Sequence, residues 1–445
     1  MTLKRECSCF FFAEYGRVRQ KSCTFAARMK QGLFSSVVMA VGLTVVLLVS
    51  SCGSSRRTPV ATSPYPYTPS PVRPTPSVVI SSNSQPKTPE EVLVLRMDSL
   101  LVAEDSLLSV TQLGLHVVDL TMGRVLYGCG EQQRLRPASS EKMMTAIAAL
   151  DVLGPGYTLD TRLMATAAVS GGVLQGDLYI KGAMDPLLSA ADVQELVWQL
   201  KARGVKRIKG RLVADASMKD GDDYGWGWCW DDKNPVLSPL LCGGKPGLAV
   251  ALKNALQRGG VNVGMVTVGV TPATARELVA FRRPLTAVLQ PMMKESDNLC
   301  AEAVFYQMGR DRKAAAMRIQ NILGEGSYTV ADGSGLSLYN YQTPEAFTKM
   351  LAHAVERPDS IFTPLLEALP IAGVDGTLKS RMKGTAAEIA VRAKTGTVTG
   401  VSSLVGYTTQ RSRNHLIAFA IMNQGVLRSA DGRRFQDEVC RLLSE

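Results

Sequence analysis

The chain has 445 residues, 46% of them hydrophobic, enough for one large domain or two ordinary ones. Its formal charge is +11, but residues 1–51 carry seven Lys/Arg and two acids, which leaves +6 for the remainder. That mild surplus, without zinc-finger spacing, an RNP-like aromatic stretch or a block of clustered Lys/Arg, speaks against nucleic acid as a partner and suits a protein facing an anionic polymer. The nine cysteines are scattered with no CxxC pair, so no metal site is expected. Cys229 and Cys242 could bridge in an oxidising compartment, with buried free thiols as the alternative.

In chain order, the first element is MKQGLFSSVVMAVGLTVVLLVSSC, Met29 to Cys52. It has a lysine-bearing start, an apolar stretch and small residues before a cysteine, the anatomy of a signal peptide. Only 13 residues separate Ser36 from Ser50, short of the roughly 20 a membrane-spanning helix needs. The segment resembles a bacterial lipoprotein signal, with Val49-Ser50-Ser51-Cys52 as its lipobox. The resemblance implies lipidation of Cys52 and a place in the periplasm or cell envelope, anchored to a membrane. Residues 1–28 make a poor n-region and read as a mis-assigned extension, with Met29 as the start. Residues 53–88 are rich in Pro, Ser and Thr; such a segment buries too little apolar surface to fold and reads as a linker.

From Pro89 the pattern becomes globular, and VLVLRMDSLL predicts an opening helix. LGLHVVDL (113–120) and RVLYG (124–128) read as a β-hairpin around Thr121-Met122-Gly123. The helix that follows PASSEKM is apolar almost all round, which predicts a helix buried within a domain. Residues 158–283 alternate short strands and turns with two helix-like stretches. Helical patterns return at Pro284, then come the strand candidates IAVRAKTG, SSLVGYTT and HLIAFAIMN and a closing helix, GRRFQDEVCRLLSE. Strands at both ends with helices between predict an α+β fold, one sheet built from distant segments with residues 158–283 inserted. The main domain is then 89–157 together with 284–445.

Three histidines are present, and no GxSxG, GxxxxGK[ST] or HExxH motif. His116 and His415 fall in strands, so the proton-moving group of any enzyme here has to be something else. Lysine is the candidate. Ser139 and Lys142 stand at i and i+3 on one helix face, and a neutral lysine amine can take a serine proton if its pKa is lowered. Taken alone, SxxK is weak: Ser84/Lys87 and Ser380/Lys383 repeat it, and a serine before a helix is most often a cap. Two stretches change that balance. Ser296-Asp297-Asn298 lies between helical patterns, and Lys394-Thr395-Gly396-Thr397, the sole KTG, lies in a strand. SxxK, SDN and KTG in this order form the serine-acyltransferase signature of penicillin-binding proteins and β-lactamases.

The resemblance extends further. PASSEKM, GDLYIKGAMDPLLS, KGRLVADAS, KESDNLCAE, ADGSGLS, IAGVDGTLKSRM and AKTGTVTGVSSLVGY are similar, in order over about residues 110–440, to blocks of the class C penicillin-binding proteins. That family (peptidase S13) comprises serine-type D-alanyl-D-alanine carboxypeptidases and endopeptidases. The resemblance implies a transpeptidase-like fold, an antiparallel sheet with helices on both faces and a helical subdomain, carrying a smaller β-rich inserted domain. It implies Ser139 as nucleophile, Lys142 as base, Ser296 as proton relay and Asn298 as partner of Lys142 and substrate. Lys394 would read the terminal carboxylate with Thr395 and Gly396 beside it, and the N–H groups of Ser139 and Thr397 would form the oxyanion hole. Implied partners are peptidoglycan stems ending in D-Ala-D-Ala, D-Ala cross-links and β-lactams; no cofactor is implied. Gly182-Ala183-Met184-Asp185-Pro186 departs from the family's GGGDP, and the 157 positions from Ser139 to Ser296 imply that one inserted domain is kept and a second reduced or lost. A β-lactamase and a non-catalytic lipid-anchored wall-binding protein are the alternatives.

Overall fold

The computed structural model describes residues 88–445; the proposed leader, Cys52 and the stretch up to residue 87 lie outside the described residues. Thr88 starts helix α1 (Pro89–Ala103) in a capping box with Glu91, and Pro89 fills the first position, where a missing N–H costs nothing. Strands β1 (Gln112–Asp119) and β2 (Arg124–Cys129) follow as an antiparallel hairpin. Helix α2 (Glu141–Leu153) is entered through a 3₁₀ turn at Ala138–Ser140. Every residue from Glu141 to Leu150 is buried, which is why no polar stripe marks this helix.

Between residues 158 and 284 the chain builds a second sheet. It contains β3 (Thr158–Ala165), β4 (Leu178–Lys181), β5 (Leu212–Asp215), β6 (Val266–Val268) and β7 (Arg276–Pro284), in the order β6-β5-β4-β3-β7. Two helices, α3 (Ala190–Ala202) and α4 (Leu248–Arg258), close its own core around Leu163, Ile180, Leu196 and Leu252. Its first and last strands pair, with Thr158 opposite Pro284, so the chain leaves and returns at one point. The departure at residues 182–186 has a backbone consequence. Met184 has a φ of 54°, a left-handed conformation that glycine adopts freely and that costs another residue about 1–2 kcal/mol. The next residue, Asp185, is buried and is held by Arg283 at 3.2 Å and by the Leu187 N–H at 2.9 Å.

The chain then makes the helices α5 (Leu285–Lys294), α6 (Asn298–Gln307), α7 (Arg312–Leu323) and α8 (Pro344–Val355). It finishes with β8 (Arg392–Val398), β9 (Gly400–Gln410), β10 (His415–Val426) and α9 (Ser429–Ser444). The first sheet runs β8-β9-β10-β1-β2, all antiparallel, so β10 joins the N-terminal hairpin to the C-terminal strands. One face packs on α1 and α9 through Met97, Val117, Phe419 and Phe435; the other packs on the helical layer through Val405, Ala420, Phe347 and Leu351. Burial on both faces explains the unbroken apolar run from Leu416 to Met422 in β10, and in β9 the same burial takes in Ser402, Ser403 and Thr408. Cys229 and Cys242 are both free and half-buried, so no bridge joins them. Among the described residues no helix is long and apolar enough to cross a membrane.

Candidate active site

The turn before α2 is held from outside as well as within. Ser140 Oγ and Ser403 Oγ, the latter on β9, each donate to the Pro137 carbonyl at 2.7 Å, and the two hydroxyl oxygens lie 3.1 Å apart. Ala138 takes a φ of 49°. Ser139 is thereby left half-buried, and no side chain caps α2, so neither serine plays the capping role.

One turn along, Lys142 is fully buried and reaches back. Its Nζ lies 3.0 Å from Ser139 Oγ, 2.7 Å from Asn298 Oδ1 and 2.7 Å from the Ser334 carbonyl. An ammonium has three donors and fills all three contacts. A neutral amine has two donors and a lone pair, so one contact must reverse. The two carbonyl oxygens can only accept; the Ser139 hydroxyl is the one partner able to donate. Deprotonating this lysine therefore aims its lone pair at the Ser139 proton.

Asn298 arrives by way of a deliberate helix stop. The Pro291 carbonyl accepts both the Glu295 and the Asp297 N–H at 3.1 Å, while Ser296 turns left-handed with a φ of 62°. This closes α5 where a glycine would be usual. Asp297 then caps α6 by accepting from the Cys300 N–H at 2.8 Å. Ser296 Oγ meets the second lysine: Lys394, fully buried on the edge strand β8, donates to it at 2.9 Å and to the Thr395 carbonyl at 2.8 Å. Thr395 Oγ1 pairs with Thr377 Oγ1 at 3.0 Å. Gly396 lies against the Ser139 turn so closely that a Cβ would lie 2.9 Å from Ser140 N and overlap the Pro137 carbonyl oxygen. Thr397, next along the strand, is exposed.

Burial lowers the Lys142 pKa to about 8, against the opposing pull of Asp332, Glu302 and Asp297. Burial, and then the charge of Lys142, push Lys394 well below the usual lysine range. The acids are structural girders. Glu302, one turn after Asn298 on α6, accepts from the N–H groups of Gly333 (3.1 Å) and Ser334 (2.8 Å). Asp332 accepts from Gly335 N (2.8 Å), Ser337 N (2.6 Å), Asn340 Nδ2 (2.6 Å) and Trp228 Nε1 (2.7 Å). Thr145 Oγ1 donates to the Gly333 carbonyl at 2.8 Å. Together they fix the ADGSGLS loop so that its Ser334 carbonyl points at Lys142. Burial and the neighbouring Asp332 raise the pKa of Glu302, and raise that of Glu141 well above the carboxylate range. Gln342 Nε2 bonds both oxygens of Glu141 at 3.0 Å.

All five side chains singled out in the three motifs thus meet: Ser139, Lys142 and Asn298 directly, Ser296 and Lys394 as an adjoining pair. Sequence reading missed the loop's anchors. Ser140 and Glu141, which lie between Ser139 and Lys142, are both fully buried and bonded. Glu302 was findable as the i+4 partner of Asn298.

The fold is that of penicillin-binding proteins. A crystal structure of penicillin-binding protein 4 from Haemophilus influenzae matches with a TM-score of 0.71 at 22% identity, covering 78% of this chain and 99% of that one. A second structure of that protein holds a β-lactam. The sequence narrows the class: residues 96–240 and 247–445 match the D-Ala-D-Ala carboxypeptidase 3 (S13) family. The chain belongs to this family and is a hydrolase of the carboxypeptidase kind. It is 28% identical over 440 residues to a D-alanyl-D-alanine carboxypeptidase of Actinomadura sp. (strain R39), covering 74% of this chain and 81% of that one. A carboxypeptidase of Mycobacterium tuberculosis is 30% identical over 376 residues, covering 74% and 79%.

Proposed function

We propose that Ser139 is acylated by the penultimate D-alanine of a peptidoglycan stem peptide and is then freed by water. The observation that carries this is the buried Lys142, whose three contacts include one hydroxyl. Neutral Lys142 takes the Ser139 proton as Oγ attacks the D-Ala-D-Ala carbonyl. The N–H groups of Ser139 and Thr397 receive the oxyanion, aided by the N-terminal end of α2. Ser296 passes a proton to the leaving amine, Asn298 holds a substrate amide, and Lys394, backed by Thr395 and Gly396, takes the terminal carboxylate. A carboxylate arriving beside Lys394 favours its ammonium form, offsetting the burial that otherwise lowers it. When the leaving amine is free D-alanine the reaction is carboxypeptidase; when it belongs to a neighbouring stem, a cross-link is cut. β-Lactams would acylate the same oxygen.

Incubation with labelled penicillin should give one adduct, mapped by mass spectrometry to the peptide holding Ser139, and the protein should release D-alanine from a muropeptide. The acylation rate should rise with pH through about 8, because only neutral Lys142 accepts a proton. No adduct on the folded protein would overturn the reading. We place residues 89–157 and 284–445 in the catalytic domain, with 158–283 inserted. The chain works in the periplasm or envelope, tied to a membrane through lipidated Cys52. Incorporation of labelled palmitate, lost in Cys52→Ala, tests the anchor; equal incorporation in both would refute it.

A further inference from the structure

A cavity of about 960 Å³ opens where β3, β4 and the turn after β5 meet the ends of α6 and α7. It is not part of the catalytic cluster. Asn298 and Gln307 are the first and last residues of α6, so the cavity begins about 13 Å along that helix from Asn298. Its wall carries four cations, Arg162, Lys181, Arg310 and Arg318, against one carboxylate, Asp160. Asp160 is already engaged by Arg162 at 2.7 Å. Arg318 has a single long bond, from Nε to the Met308 carbonyl at 3.3 Å. Among the described residues the side chains of Lys181 and Arg310 meet no acid. Like charges gathered around a concave, low-dielectric wall repel one another and focus a positive potential into it. Arg310 and Arg318 are exposed, so water and salt screen the repulsion, and the surplus of positive charge on a wall of this volume suits an anionic, peptide-sized ligand.

We propose that this cleft binds a carboxylate-bearing peptide: a second, uncut stem of the peptidoglycan on which Ser139 acts. The inference rests on the substrate reading above. The distances suit it, because an extended five-residue stem spans about 17 Å, longer than the separation along α6. Each stem presents several carboxylates, which match the unpaired cations of Lys181, Arg310 and Arg318. Engaging two stems of one polymer makes the second contact intramolecular. Polymeric substrate should then bind more tightly than an isolated stem, with the chemical step unchanged.

The test uses the full chain in detergent, sedimented with insoluble peptidoglycan in three forms: native, with its free carboxylates amidated, and stripped of its peptides. Wild type should sediment with native material, at least tenfold less with the amidated form and not with bare glycan. Arg310→Glu with Arg318→Glu, both exposed positions, should bind native material at least tenfold more weakly. Its KM on polymer should rise, with kcat and penicillin labelling unchanged. Lys181→Glu with Arg310→Glu should do the same from the strand side of the cleft. Amidation also removes the carboxylate that Lys394 would read, so the variants decide. If both double variants label normally and sediment as tightly as wild type, or if bare glycan binds as well as native material, the cleft proposal is wrong. Failure of wild type to take up penicillin would instead refute the catalytic reading and leave sedimentation to judge the cleft.

Discussion

Ser139→Ala is expected to give a folded protein that forms no penicillin adduct by intact mass and releases D-alanine about 10⁴-fold more slowly, or worse. Removing the nucleophile of a unit that acts together leaves only binding and oxyanion stabilisation. Folding should survive because Lys142 keeps its bonds to Asn298 and Ser334, and the turn keeps its clasp from Ser403 to Pro137. The neighbouring serine supplies the contrast. Ser140→Ala removes a buried hydroxyl that bonds Pro137, a loss of about 1 kcal/mol, and should still label. An undiminished adduct in Ser139→Ala would place the nucleophile elsewhere.

Gly335→Ala should be nearly as harmful without touching a reacting atom. Gly335 has a φ of +84°, and a Cβ there would lie 2.5 Å from the Ala138 carbonyl carbon and 3.1 Å from Ser139 N. The collision is with backbone, so the turn carrying Ser139 must shift. A displacement of about 1 Å at a reacting group costs on the order of 10²-fold in rate, and we expect penicillin acylation to slow by at least that factor. Gly123→Ala separates strain from collision: its φ is +66°, but nothing lies within 4 Å of the added Cβ. It should lower the melting temperature slightly and leave acylation alone. Equal acylation rates in Gly335→Ala and wild type would mean that the loop does not set the position of Ser139.

Much of this was legible because the signals were local. Two strand-like stretches around Thr121-Met122-Gly123 mark the hairpin, and both-face burial writes β10 as an apolar run. The motifs name their five side chains because each sits at a fixed offset on its own element. What remained hidden depends on which surfaces meet. Glu141, Glu302 and Asp332 read as ordinary helix and loop acids, since nothing in a linear chain tells a buried carboxylate from a solvated one. Ser403 follows Ser402 between the apolar Val401 and Leu404, and nothing in that pair hints at the Pro137 carbonyl. Met184 conceals a left-handed residue because its conformation is imposed by what surrounds it. The cationic cleft is drawn from five stretches spread between residues 156 and 318.

The order of strands in the first sheet has a consequence for how the chain matures. β1 pairs along its whole length with β10, Leu115 opposite Ile421, so a strand synthesised early waits for one synthesised near the end. Contacts this distant in sequence make for slow folding. The second sheet, contiguous between residues 158 and 284 with its own apolar centre, has no such wait and is suited to form first. Ser139 lacks both the Ser403 clasp and the Lys394 cation until the last quarter of the chain folds into place. On the mechanism proposed for Ser139, penicillin labelling is therefore expected only once the C-terminal strands have joined the sheet, so that the appearance of an adduct would report the completion of the fold.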